Sequence, residues 1–271
     1  MNRNLKFRMT AFVFAAMLAA ACATESKRTE PVTTTTDKGS STAPPAKEAE
    51  KRDQALVRVI YAVPGGAAGD VFADNTKAFP GVAYKTVTPY RELSDDRHDF
   101  RLRPSGQDAV PPLAEKSENV SGGKHYTIIA LPTDATAKEV TLKLVTDNLV
   151  PPPAGTAKVR LIHASPDAGE VDVYPKGKDK ALFSGVNFKS ETSYTEVDPM
   201  SVTLEVRPEG KKDVLLTVPD VTFEAGKLYT IVLAGKAKGA PKLEAIKVED
   251  QLTGPTGQPV TAPPTPAVPM K

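Results

Sequence analysis

The sequence predicts an all-β protein with two tandem immunoglobulin-like β-sandwich domains, a disordered N-terminal tether and a Pro-rich C-terminal tail. Three observations predict it. Six short segments recur in the same order at offsets of 102 to 104 residues, apolar and polar residues alternate at period two, and no long amphipathic helix pattern intervenes. The chain has 271 residues, 40% hydrophobic and 25% charged, which allows about two ordinary domains and excludes a polytopic membrane protein. A single cysteine cannot form an internal disulfide or a cysteine-based zinc site, and three histidines are too few for a histidine-rich metal centre. Formal charge is +2, of which Arg3, Lys6 and Arg8 supply +3 in a segment expected to be removed. A near-neutral mature chain has no electrostatic case for nucleic acid.

The chain opens with those three basic residues, followed by an uncharged run of 13 residues, Met9 to Ala21, rich in Phe, Val, Leu, Met and Ala. That is a signal-peptide profile. The run is short for a permanent span, which needs about 20 apolar residues. Leu18-Ala19-Ala20-Ala21-Cys22 resembles the bacterial lipobox, with Leu18 one place earlier than the favoured position. The resemblance implies cleavage after Ala21 and acylation of Cys22, the only cysteine of the chain. Two or more acyl chains hold a protein at a membrane at about 0.8 kcal/mol per buried methylene. By resemblance to Gram-negative sorting rules, Ala23 in place of Asp implies the outer membrane.

Residues 22–54 are expected to form the tether. From Ala23 to Gln54 the only large aliphatic or aromatic residue is Val32, so ordering the segment would not be offset by burial. A flexible chain of that length reaches roughly 30 Å. Lys47 to Arg52 is expected to form a single helical turn. Pro151-Pro152-Pro153 divides the two domains, expected at 55–150 and 157–252, and six prolines in 253–271 mark the tail as extended.

The two domains align with each other. Val57-Arg58-Val59-Ile60-Tyr61-Ala62 matches Val159-Arg160-Leu161-Ile162-His163-Ala164, and Asp70-Val71-Phe72 matches Asp172-Val173-Tyr174. Further along, Phe79-Pro80-Gly81-Val82 matches Phe183-Ser184-Gly185-Val186, and Arg103-Pro104 matches Arg207-Pro208. Gly123 to Ile129 matches Gly226 to Val232, and Asp147-Asn148-Leu149 matches Asp250-Gln251-Leu252. Order kept over six matches means duplication of a unit near 95 residues. Val202 to Arg207 alternates without a break, as a half-buried strand requires. Strands are also expected at Val57–Ala62, Tyr126–Leu131, Val140–Thr146, Val159–Ala164, Val214–Val218, Tyr229–Ala234 and Ala245–Val248.

The residues shared by both copies read first as structural. Tyr126 and Tyr229 follow a Gly-Lys turn and open a strand, the setting of a tyrosine corner. Asp70 and Asp172 sit where a carboxylate accepts backbone N–H groups, and Arg103-Pro104 and Arg207-Pro208 close strands. His163-Ala164-Ser165-Pro166-Asp167-Ala168 with Val171-Asp172-Val173-Tyr174, and later Ala225 to Ile231, resembles the bacterial family called domain of unknown function 4397. Ala55 to Leu149 is then a degenerate copy. The resemblance implies exported, often repeated sandwich domains in envelope proteins; it implies no established activity and transfers no catalytic residue.

Chemistry is sparse. His163, Ser165 and Asp167 or Asp172 are the parts of a nucleophilic triad, which makes a hydrolytic enzyme the alternative reading. Residues 163 and 165 on one strand face are about 6.6 Å apart along the chain, beyond hydrogen-bond reach without a bend, and the first copy has Tyr61 and Val63 there. An Asx-type turn at Asp167 is the simpler expectation. Ser94-Asp95-Asp96-Arg97-His98-Asp99 reads as a solvated loop that lacks the spacing of a calcium site, and His125 reads as packing at a strand start. No nucleotide or phosphate fingerprint is present, so no cofactor is expected. The expectation is therefore a non-enzymatic lipoprotein, held at the membrane by its anchor, that binds or scaffolds an envelope protein or polysaccharide. Binding is expected through the loops Pro64–Gly69, Ser165–Glu170 and Lys236–Ala240, with His163, Asp167 and Asp172 as candidate binding residues. A purely structural spacer is the remaining alternative.

Overall fold

The computed structural model describes residues 54–250. The signal and cleavage site at Ala21, the lipidation site Cys22, the tether before Gln54, the helical turn at 47–52 and the tail lie outside them. Among the described residues there are sixteen strands and no helix.

The first repeat holds β1 (Ala55–Tyr61), β2 (Gly69–Ala73), β3 (Thr76–Val82), β4 (Arg91–Leu93), β5 (Asp96–Pro104), β6 (Ala114–Val120), β7 (His125–Pro132) and β8 (Val140–Asp147). The second holds β9 (Ala157–His163), β10 (Val171–Pro175), β11 (Phe183–Val186), β12 (Thr195–Val197), β13 (Met200–Pro208), β14 (Leu216–Phe223), β15 (Leu228–Ala234) and β16 (Glu244–Asp250). Each repeat forms two four-stranded sheets. The orders are β4-β1-β7-β8 and β3-β2-β5-β6 in the first, and β12-β9-β15-β16 and β11-β10-β13-β14 in the second. The arrangement is the same twice, as duplication requires. All ladders are antiparallel except β1 with β7 and β9 with β15.

Within a repeat the two sheets face each other across one core. In the first it includes Val57, Val71, Phe79, Phe100, Tyr126 and Ile128; in the second Val159, Val173, Phe183, Leu204, Phe223 and Ile231. These side chains come from one face of each strand.

The other face of the central strands is not solvated, contrary to what a period-two reading implies. Ile60, Ala62, Ile129, Leu131 and Val145 of the first repeat form one buried cluster with Ile162, Ala164, Val232, Ala234, Ile246 and Val248 of the second. The β4-β1-β7-β8 and β12-β9-β15-β16 sheets therefore pack back to back. Burial on both faces explains the nearly unbroken apolar runs of β7 and β15.

A polar network sits at one edge of that interface and is exchanged between the repeats. Arg58 donates to Asp250 at 2.5 Å, and Arg160 donates to Asp147. Thr127 and Thr230 each accept from the arginine of their own repeat at 2.9 Å and donate to Asp147 and Asp250 respectively at 2.6 Å. Tyr90 and Tyr194 donate to the same two carboxylates, and each ring lies under a guanidinium.

Two local expectations are corrected. Val214 is exposed and precedes the strand, which begins at Leu216 and continues to Phe223. It passes Pro219 because β14 is an edge strand and its register against β13 shifts there, with Asp220 at φ 54°, so the missing N–H breaks no ladder bond. The 94–99 run is not a solvated loop: from Asp96 it is β5, paired to β6. His98 is buried there between Asp74, at 2.7 Å from Nδ1, and the Ser94 carbonyl, at 3.0 Å from Nε2.

Candidate functional site

The loops that follow the central strands are tied down by the last residue of those strands. Tyr61 ends β1 and donates its hydroxyl to Ala67 O, six residues on, at 2.9 Å. His163 ends β9 and reaches Gly169 O, also six residues on, at 2.8 Å, while its Nδ1 accepts the Ser165 N–H at 3.3 Å. These partners assign the proton to Nε2, and burial lowers the ring pKa below the ordinary histidine value. His163 thus does in the second repeat what Tyr61 does in the first.

The hydroxyl of Ser165 is buried and donates to Asp167 Oδ1 at 3.4 Å, not to His163. Hydroxyl, imidazole and carboxylate are close, but they do not line up as a proton relay. Asp167 accepts from the backbone N–H groups of Ala237 at 2.7 Å and Lys238 at 2.9 Å. The local Asx turn expected there is instead a tie between two loops some 70 residues apart. Asp172 lies apart from this group and accepts from Gly185 N and Gly210 N. Asp70 repeats that pattern with Gly81 N and Gly106 N, adding Ser105 and Lys77. Burial alone would raise the Asp70 pKa, and these donors outweigh it and hold it well below the usual carboxylate range.

The direction of the strands gathers these loops at one pole. At the C-terminal ends of the central strands, Lys189 donates to Thr133 O at 2.9 Å, and Tyr84 and Lys85 both reach Glu244 at 3.0 Å. Lys85 N and Lys189 N bond Tyr61 O and His163 O, the last carbonyls of β1 and β9. At the N-terminal ends, Arg58 meets Asp250, and Lys158 reaches Val150 O and Pro151 O. The loops 62–68 and 133–139 of the first repeat therefore share a pole with 164–170 and 235–243 of the second. Gln54 and Asp250, where the described chain begins and ends, lie at the other.

Within that pole the Gly235–Lys242 loop is closed on itself and tied to a neighbouring loop. Gly235 has φ +83°, and a Cβ there would run into the backbone of Lys242. Lys236 and Lys242 bridge in parallel, Lys236 N bonds Pro241 O, and Asp167 holds the next turn. The loop carries Lys236, Lys238 and Lys242, whereas its first-repeat counterpart, Thr133–Glu139, carries Asp134, Lys138 and Glu139. The lysine set was legible as a Lys-x-Lys-x-x-x-Lys run; its rigidity, which depends on Asp167, was not.

Comparison with known proteins follows the same lines. The family model described as Domain of unknown function (DUF4397) matches residues 55–174 and 177–260. The break between these matches falls after β10, whereas the break between structural repeats falls between β8 and β9. No curated protein matches. Among solved structures, the C-terminal domain of AlgF from P. aeruginosa aligns over 36% of this chain and 100% of its own, at 16% identity and a TM-score of 0.27. That score is too low to carry an argument.

Proposed function

The chain belongs to the family described as Domain of unknown function (DUF4397), and from that footing we propose that it is a non-enzymatic, lipid-anchored envelope protein that holds another envelope component at its loop pole. In this reading Cys22 carries the lipid at the outer membrane, residues 22–54 are the tether, and 55–150 and 157–252 are immunoglobulin-like modules ahead of a Pro-rich tail. The observation that carries the reading is the polarity of the body. The described chain enters and leaves at the pole of Gln54 and Asp250, and four loops gather at the opposite one. A tether at one pole and fixed loops at the other present a binding surface away from the anchoring bilayer. Catalysis at Ser165 draws no support from a buried hydroxyl aimed at Asp167.

The test is site-specific photo-crosslinking in intact cells. A photoreactive residue at Ala240, exposed on the loop pole, should give a discrete adduct, while one at Val150, 54% exposed at the opposite pole, should not. Equal, diffuse adducts from both positions would exclude a docking pole. Cys22→Ser should move the protein out of the membrane fraction.

A further inference from the structure

We infer that the Gly235–Lys242 loop is a docking site for an acidic polysaccharide, an inference that rests on the docking role proposed for its pole. The first ground is unspent charge. Among the described residues Lys77, Lys85, Lys116, Lys143 and Lys227 are engaged in ion pairs; Lys236, Lys238 and Lys242 are among those that are not, as are Lys176, Lys178 and Lys180 of the β10–β11 turn, so charge alone does not single the loop out. Lys238 and Lys242 are exposed, and Lys236 is half-buried with its stem against Gly239.

The second ground is preorganisation. The parallel bridge sets the Lys236 and Lys242 backbones about 5 Å apart. Asp167, which accepts from Ala237 N and Lys238 N, fixes the backbone of the third lysine beside them. Loop order is therefore established before a ligand arrives, and little entropy is lost on docking.

The third ground is what the loop lacks. Apart from its lysines, Gly235–Lys242 contains only Gly, Ala and Pro. A protein partner is held by buried aromatic, aliphatic or arginine anchors, and this loop supplies none. Ammonium groups without a hydrophobic centre suit a hydrated polyanion, bound through released counterions. The loop also lies at the pole opposite Gln54 and Asp250, where the described residues begin and end, so in the proposed arrangement the headgroups of the anchoring bilayer are not its natural occupant.

Divergence of the two copies fits the same assignment. The equivalent 133–139 loop is acidic on balance, so the basic set is not something the fold requires.

The experiment measures binding of the full-length, detergent-released protein to polygalacturonate, with neutral dextran, polyglutamate and phosphatidylglycerol vesicles in parallel. K236Q/K238Q/K242Q is compared with K176Q/K178Q/K180Q, which removes three exposed lysines from the β10–β11 turn at the other pole. Polygalacturonate should bind with affinity that falls as salt rises. The loop variant should bind at least about tenfold more weakly with a salt slope lower by about 3, and the control variant should stay within about twofold. Equal losses in both variants, no binding, or preference for polyglutamate or vesicles over polygalacturonate would each overturn the inference. Ala240 adducts that persist in cells expressing the loop variant would leave the docking pole standing while removing the polyanion.

Discussion

At the scale of single residues, the buried charges between the repeats decide most. Burial works to raise the Asp147 pKa, and Arg160 and Arg58, with hydrogen bonds from Thr127 and Tyr90, outweigh it and hold the carboxyl below its ordinary value. Arg58 and Arg160 are raised against the same burial penalty by the aspartates and tyrosines around them. Such a group contributes stability that is complete above the unfolded carboxyl range and is lost as pH falls through the lower folded value. Unfolding in urea should therefore show stability declining below about pH 4. Arg160→Met removes the nearer of the two guanidinium groups that face the buried Asp147 carboxylate and should cost about 3–5 kcal/mol; adding Asp147→Leu should recover at least half of that, since a matched apolar pair is often neutral. A double-mutant cycle with coupling under about 1 kcal/mol would show that the pair is not coupled. None of this was visible as chemistry in the sequence. Arg58, Thr127 and Asp147 alternate with apolar residues and so read as an outer, solvated face. The signal that could have found them is their recurrence as Arg160, Thr230 and Asp250, polar residues kept on the same strand face in both copies.

At the scale of elements, strict alternation was the reliable guide, and Val202 to Arg207 falls inside β13. The three-residue strands β4 and β12 are too short for periodicity to register, and the charged β6, Ala-Glu-Lys-Ser-Glu-Asn-Val, is held by pairing to β5 rather than by burial of its own side chains. The tyrosine corners were legible because each follows a Gly-Lys turn. Tyr126 accepts Ser121 N at 3.0 Å and Tyr229 accepts Glu224 N at 3.1 Å, each five residues back, so each hydroxyl fixes the turn that enters the last hairpin. Tyr229→Phe keeps the ring packed against Phe223 and removes only the acceptor. The loss should be about 1 kcal/mol, the net value of one hydrogen bond, with Tyr126→Phe close to it. Urea midpoints of the two variants check this: no shift in either would mean that water replaces the hydroxyl at no cost.

At the scale of the whole molecule, duplication was legible and its consequence was not. A proline run between two copies reads as a spacer between independent modules, yet the copies share a third core and exchange their ion pairs. Each isoleucine in that core is worth roughly 1.5–3 kcal/mol by its burial alone, and Ile60, Ile129, Ile162 and Ile246 all contribute. If one repeat opened, the partner's sheet would expose these side chains and lose both ion pairs that cross between the repeats. Neither repeat can then unfold at its own midpoint without destabilising the other. Calorimetry should give a single transition whose van't Hoff and calorimetric enthalpies agree, although the body holds two complete sandwich-like units. Ile162→Asp places an unpaired charge in the shared core, at a residue 1% exposed, while leaving the second repeat's internal core intact. It should split or broaden the transition and raise the enthalpy ratio toward about two. Two resolved transitions in the unaltered protein would mean that the exchanged pairs decorate the contact between the repeats rather than bind them into one folding unit.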